Sequence, residues 1–210
     1  MEIRRYESDL LRSNMYVIVE GTHAIVIDPF RSTDAAEGLH IDRILLTHEH
    51  YDHISGVRLW QEKTEAPVLC SRTCSERITS ARKNLARLFD AFCDLQTWIK
   101  LDKKPDSDPA YTCKADEVFD GEMQLDWQGH RFRLFEMPGH SPGSIGILVD
   151  DSCFFSGDSV MEDSEIELRL PGGSREQWET VGRRRLEELP ADIRVYPGHF
   201  HSFPFQTEGR

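Results

Sequence analysis

The sequence predicts an α+β fold in which two β-sheets pack face to face with helices on their outer sides, a four-layer αββα sandwich. Three observations predict it. The 210 residues suffice for one sizeable hydrophobic core and are few for two. Runs with β character fall into two groups, residues 14–70 and 122–156. Each group is followed by a stretch of helical apolar spacing, so each sheet has a helix to cover its outer face. The chain is therefore read as a single domain, residues 1–210, with a possible lid or insertion at about 76–114.

Asn14 to Glu20 and His23 to Asp28 are β-rich runs on either side of Gly21-Thr22, the pattern of a hairpin. Arg43 to Leu46 is a short apolar strand ending at Thr47-His48, and His53 to Lys63 has helical spacing at Val57 and Trp60. Pro67 to Cys70 reads as a strand. Ser75 to Phe92 reads as one amphipathic helix with Ile78, Leu85, Leu88, Phe89 and Phe92 on one side. Asp94 to Lys114, with its Lys-Lys-Pro-Asp-Ser-Asp-Pro run at 103–109, reads as a long loop and a candidate lid. Gln124 to Trp127, Arg131 to Glu136, Ser144 to Val149 and Ser152 to Ser156 are strands divided by Gly or Asp turns. Ser174 opens a helix to Leu189 with a near-capping-box signal, and Ile193 to Tyr196 is a last strand before Pro197-Gly198-His199.

Composition narrows the function classes. A net charge of −12 and a pI near 5.2 oppose a phosphate backbone, and the short Arg183-Arg184-Arg185 cluster lies among Glu179, Glu187 and Glu188, as on a solvated helix face. No nucleic-acid partner is expected. No apolar run approaches the ~18 residues that span a bilayer, so no membrane role is expected. The charged N-terminal residues lack the apolar core of a secretory signal, which places the protein in the cytoplasm. Five cysteines without a Cys-x-x-Cys pair make neither a disulfide framework nor a cysteine zinc site.

The densest chemical signal is Thr47-His48-Glu49-His50-Tyr51-Asp52-His53, between a strand and a helix. Residues two apart in an extended segment point the same way, so His48 and His50 can share one metal while the turn into the helix aims Asp52 and His53 at a neighbouring point. Imidazole and carboxylate suit zinc, and also iron or manganese. Further donors follow three later strands, in Pro138-Gly139-His140, Ser156-Gly157-Asp158 and Pro197-Gly198-His199. Five of the nine histidines fall in this pattern. His23, His40 and His130 read as surface or turn residues, and Glu49 and Tyr51 as neighbours of the ligands.

These residues resemble the metallo-β-lactamase superfamily, whose pattern is His-x-His-x-Asp-His followed by a His, an Asp and a last His, each after a strand. The resemblance runs from about Asn14 to His199. It implies two divalent metal ions, zinc first. His48, His50 and His140 would hold one, Asp52, His53 and His199 the other, and Asp158 would bridge. It also implies an acidic residue, Asp28, supporting the ligand loop from beneath.

Two cations roughly 3.5 to 4 Å apart can share a water and lower its pKa toward ~7. The expected reaction is hydrolysis of a small-molecule acyl bond, thioester or lactone, with Asp52 orienting the attacking hydroxide. Pro138 to Gly143 and Phe155 to Asp158 look most like small hydroxyacylglutathione hydrolase-like members. The chain ends soon after His199, without the helical extension with which those enzymes bind glutathione, so the expectation stays with acyl compounds in general. Trp98 and Tyr111 are candidates for the substrate wall or for anchors of the long loop, and His201 for a contact with the site; Phe89 is expected to pack on the core. Two alternatives from other classes remain, a mononuclear iron persulfide dioxygenase and a non-catalytic metal-binding interaction protein. Oligomeric state is not legible.

Overall fold

Alternation of apolar residues along each strand builds two buried interfaces at once. In the computed structural model, which describes residues 1–101 and 103–205, twelve strands form two six-stranded mixed sheets. The first runs in the order β1 (Glu2–Glu7), β2 (Asn14–Glu20), β3 (His23–Ile27), β4 (His40–Leu45), β5 (Val68–Ser71), β6 (Glu117–Phe119). The second contains β7 (Glu122–Trp127), β8 (His130–Glu136), β9 (Ile145–Val149), β10 (Cys153–Gly157), β11 (Arg194–Pro197) and β12 (Phe203–Pro204), in that spatial order. Odd and even positions of a strand face opposite ways. Tyr16, Ile18, Ile25 and Ile27 accordingly meet Phe132, Leu134, Ile147 and Phe155 between the sheets. Their neighbours Val17, Val19, Ala24 and Val26 face an outer helical layer, and Leu148, Phe154 and Val195 face Trp178 and Leu189 on the other side. Four layers follow from the period of two, as the sequence predicts.

The outer layer of the first sheet holds α1 (Tyr51–Ile54), α2 (Val57–Thr64), α3 (Arg72–Ile78) and α4 (Phe89–Leu95). The expected continuous helix 53–63 breaks between α1 and α2, because the Gly56 N–H leaves the helical ladder to bond Pro29 O at 2.9 Å. The expected helix 75–92 is also two pieces. Ser71 caps α3, accepting from Cys74 N at 3.1 Å. Beyond Ile78 the chain turns, Leu85 takes φ 66°, and buried Asn84 bonds Ile78 O, Tyr111 O and Ala86 N in place of a helical ladder. The second sheet is covered by α5 (Arg175–Gln177), capped by Ser174, which continues through a π-helical segment, Trp178–Gly182, into α6 (Arg183–Glu187).

The long segment after α4 is held down along much of its length. Ile99, Tyr111 and Cys113 are buried in the first outer core, and Asp108 N–H donates to the Tyr51 hydroxyl at 2.8 Å. Residue 102, inside the lid region expected from sequence, lies outside the described residues.

Candidate metal centre

The ends of β4, β8, β10 and β11 face the same edge of the sandwich, and the residues that follow them meet there. His48, His50, Asp52, His53, His140, Asp158 and His199 are all at most 8% exposed. Donor atoms of His48, His50 and His140 lie within 4.8 Å of one another, and so do those of Asp52, His53 and His199. Asp158 stands between the groups. Its Oδ1 is 3.3 Å from His53 Nε2, and its Oδ2 is 3.4 Å from His199 Nε2 and 3.6 Å from His140 Nε2.

Four of the imidazoles are held by their far nitrogen. His140 Nδ1 is 2.9 Å from Glu167 O and His199 Nδ1 is 3.0 Å from Leu11 O. A carbonyl can only accept, so both rings carry their proton on Nδ1 and turn a bare Nε2 to the centre. His53 Nδ1 is 3.1 Å from Asp28 Oδ2. Asp28 Oδ2 also accepts from Thr47 Oγ1 at 2.5 Å, leaving that hydroxyl to accept from His48 Nδ1 at 3.0 Å. One carboxylate thus sets the tautomer of a ring in each donor group. Its Oδ1 accepts Thr47 N–H at 2.8 Å, which fixes the start of the ligand loop.

The convergent atoms are left without protein partners. His48 Nε2, His53 Nε2 and Asp158 Oδ1 are buried and make no hydrogen bond, and the other ring nitrogen of His50, Nε2, is likewise unpartnered. His50 Nδ1 faces the bare His140 Nε2 at 3.0 Å. Buried polar atoms are ordinarily paired, at a cost of about 1–3 kcal/mol each when they are not. A converging set of orphan nitrogens and carboxylate oxygens is the donor chemistry of a divalent cation, and the residues present fit one.

Electrostatics points the same way. Burial, then neighbouring imidazoles, hold His48 and His50 well below the ordinary imidazole range, in the neutral form that ligates. Burial opposes charge on His53 too, yet the Asp158 and Asp52 carboxylates outweigh it and raise that ring well above its usual value. Asp158 is buried, but His199 and His53 hold it well below the usual carboxylate range. Asp52 is raised, burial there outweighing His53 and His199. The carboxylates therefore demand positive charge among them.

Close approach is built in at two glycines. Gly157 has φ 51°, and a Cβ there would stand 2.7 Å from Thr47 Oγ1. At Gly198 a Cβ would stand 2.0 Å from Asp158 Oδ1. A second tie is absent from the sequence reading: fully buried Glu49 accepts from Arg77 Nε and from Ser141 Oγ, the latter at 2.8 Å, joining the ligand loop to α3 and to the His140 loop. Nothing in a helical Arg77 signals that role.

Five of the donors, His50, Asp52, His140, Asp158 and His199, form the floor of a cavity of about 590 Å³, with His48 and His53 beneath them. Trp98 is on its wall, its ring centroid 4.8 Å from that of His199. Phe89 both packs on Tyr51 in the core and reaches the wall. Tyr111 is not on the wall: its hydroxyl donates to Ile54 O at 2.8 Å, so it anchors the segment that carries it. His201 is exposed and also off the wall, because the chain turns outward after His199 at Phe200, which has φ 66° and lines the cavity instead. The facing wall, residues 161–171, carried no signal in the sequence.

The family profile described as the metallo-beta-lactamase superfamily matches residues 8–199. A probable metallo-hydrolase of Bacillus subtilis, YqgX, is 26% identical over 206 residues, spanning 95% of this chain and 90% of that protein. A hydroxyacylglutathione hydrolase of Francisella tularensis is 42% identical over 207 residues, spanning 95% of this chain and 68% of that protein. The crystal structure of the BLEG-1 B3 metallo-beta-lactamase superposes with a TM-score of 0.81 at 24% identity, covering 97% of this chain and 94% of that one, a likeness of fold.

Proposed function

The chain belongs to the metallo-beta-lactamase superfamily, and from that premise we propose that it is a binuclear metal-dependent hydrolase of small acyl compounds, thioesters or lactones. One observation carries the reading. Seven buried donors converge, four of their five rings locked from behind, and His50, Asp52, His140, Asp158 and His199 open onto the floor of a cavity. His48, His50 and His140 would hold one ion, Asp52, His53 and His199 the second, and Asp158 both, with zinc preferred and iron or manganese compatible with the same donors. Bound divalent ions supply charge that lowers the pKa of a water toward ~7 and stabilises a developing oxyanion.

The chain's own residues do the rest. Asp52 lines the cavity and faces His53 and His199 through Oδ2, each at 3.5 Å, so its Oδ1 is the oxygen placed to orient the attacking water and to take and return its proton. Asp28 holds His48 and His53 in register through the contacts described above, and Glu49 with Arg77 does the same for the loop between His48 and His50. Walls of Phe92, Trp98 and Leu170 give this floor an apolar surround, which strengthens each charge interaction there. Among the described residues no helix is long and apolar enough to cross a membrane. A net charge of −12 disfavours nucleic acid, and five free cysteines suit a reducing cytoplasm.

Thioester and lactone hydrolysis by the zinc- or manganese-loaded protein, before and after chelation, tests the reading. Activity that disappears on chelation, returns with metal and is abolished by His48→Ala or Asp158→Ala in a folded chain supports it. Full activity in either variant overturns the site, and a single tightly held iron with oxygen uptake would replace hydrolysis by dioxygenase chemistry.

A further inference from the structure

The cavity's walls are chemically one-sided. One wall is built by residues 85–98, with Leu88, Phe92, Leu95 and Trp98, and is extended by Phe200. Among the described residues, six large apolar side chains are exposed, and four of them, Leu88, Leu95, Trp98 and Phe200, stand on this cavity, Leu95 being 80% exposed. Exposed apolar side chains are unremarkable when scattered, but a cluster at the mouth of a reactive site is surface kept for an apolar ligand. The facing wall adds Met161, Leu170 and Pro171. It also carries the carboxylates of Glu165 and Glu167, and its one cation, Arg169, is engaged by Glu167 through Nε at 2.9 Å and Nη2 at 2.5 Å. No free cation on the described walls awaits an anionic group.

Resting on the acyl-hydrolase reading above, we infer that the substrate is an uncharged lactone or ester with an alkyl chain that lies along the Leu88–Trp98 wall, and that thioesters of thiols bearing free carboxylates or phosphates are disfavoured. The cavity volume, about 590 Å³, is that of a site that buries a whole small ligand. An alkyl chain gains by leaving water against Leu88, Leu95 and Trp98, whereas a carrier's carboxylates would meet Glu165 and find Arg169 already taken by Glu167. The reaction balances with water alone. Its oxygen forms the new bond to the acyl carbon, the acyl C–O bond breaks, and the proton passes by way of Asp52 to the departing alkoxide, giving a hydroxy acid from a lactone.

The test uses γ-butyrolactone, γ-octalactone and γ-dodecalactone with the metal-loaded protein, beside glutathione and coenzyme A thioesters of matching acyl length. kcat/KM is expected to rise about two- to fourfold per methylene. The anionic thioesters are expected to be about tenfold slower or worse. Leu88→Ser with Leu95→Ser should flatten the chain-length dependence. A second measurement needs no turnover. γ-Dodecalactam, the uncleavable amide counterpart, should change the fluorescence of Trp98 saturably in metal-stripped protein, since Trp60, Trp127 and Trp178 are buried.

Equal rates for every lactone, with the thioesters as fast, would overturn the inference and leave the hydrolase reading standing. Absence of any acyl cleavage would overturn that reading, and the lactam titration would still judge the wall: saturable binding lost in the double serine variant supports it, and no binding overturns it. A dimer dispersed by Leu95→Ser, with no lactam response, would assign the wall to a second copy and overturn the inference.

Discussion

Asp28→Asn removes one charge and reverses one hydrogen-bond polarity at nearly constant shape. Asn accepts the left-handed backbone that Asp28 occupies at φ 53°, so the backbone is not perturbed. Asp28 accepts three bonds, from Thr47 N at 2.8 Å, Thr47 Oγ1 at 2.5 Å and His53 Nδ1 at 3.1 Å. Asn has one acceptor oxygen. With that oxygen kept on Thr47 N, its NH2 faces Thr47 Oγ1 and His53 Nδ1, and both must become acceptors. The Thr47 hydroxyl then turns its proton to His48 Nδ1. His48 and His53 each move a proton to Nε2, the atom that faces the centre, and one ring in each donor group loses its ligating lone pair. Loss of such orienting partners costs about 10–100-fold in metal affinity. Exchanging two hydrogen bonds to a buried charge for two neutral ones costs about 2 kcal/mol of metal-free stability. Competition against a chromophoric chelator reads the first quantity at both sites, and denaturant unfolding of stripped protein reads the second. Wild-type affinity at both sites would refute the relay through Asp28.

Gly198→Ala should leave the fold intact by circular dichroism but displace Asp158, since the new Cβ would stand 2.0 Å from its Oδ1; metal content should fall sharply, and unchanged content would contradict the close approach. Arg77→Met strands the buried Glu49 carboxylate and should destabilise the chain by about 3–5 kcal/mol, with Glu49→Gln restoring part of the loss; a change below about 1 kcal/mol would show that the pair is idle. In metal-free protein, folded His48 and His50 refuse protons that the unfolded chain takes up below about pH 6.5, so stability should fall with acid, approaching about 1.4 kcal/mol per pH unit for each ring until its folded pKa is reached. His53 has the opposite sign: its folded pKa is raised, its contribution is complete below the unfolded value and is lost as pH rises through the folded one. These three rings place the maximum near about pH 6.5, and a flat urea midpoint from about pH 5 to 8 would contradict them.

The strands that were legible bury both faces or alternate between turns. β2 and β3 pair from Tyr16 opposite Ile27 to Glu20 opposite His23 across Gly21-Thr22, as the hairpin pattern implies. β1, Glu-Ile-Arg-Arg-Tyr-Glu, carries charge on both faces because it is an edge strand with little buried surface, and it escaped notice for that reason. β6 has three residues and owes its form to pairing with β5. The break between α3 and α4 was hidden because Asn84 acts through contacts with Tyr111 and Ile78 that helical periodicity does not encode. At the site, the donors were legible because their types and strand-end spacing mark them, and the structure gathers all seven. Their supports were not. Leu11 and Glu167 contribute backbone oxygens, which carry no side-chain identity, and Leu11 is 188 positions from the histidine it orients. Tyr111 showed the limit of residue type as a guide, an aromatic beside a long segment serving as anchor rather than wall.

The proposed hydrolase stands on seven donors that hold two divalent ions. Equilibrium dialysis of stripped protein against zinc, with metal counted by mass spectrometry, tests it most directly. About two tightly held ions per chain are expected, falling to at most one in His48→Ala and in His199→Ala and to neither in Asp158→Ala. No tight binding in the folded wild-type chain, or undiminished binding in Asp158→Ala, would contradict it.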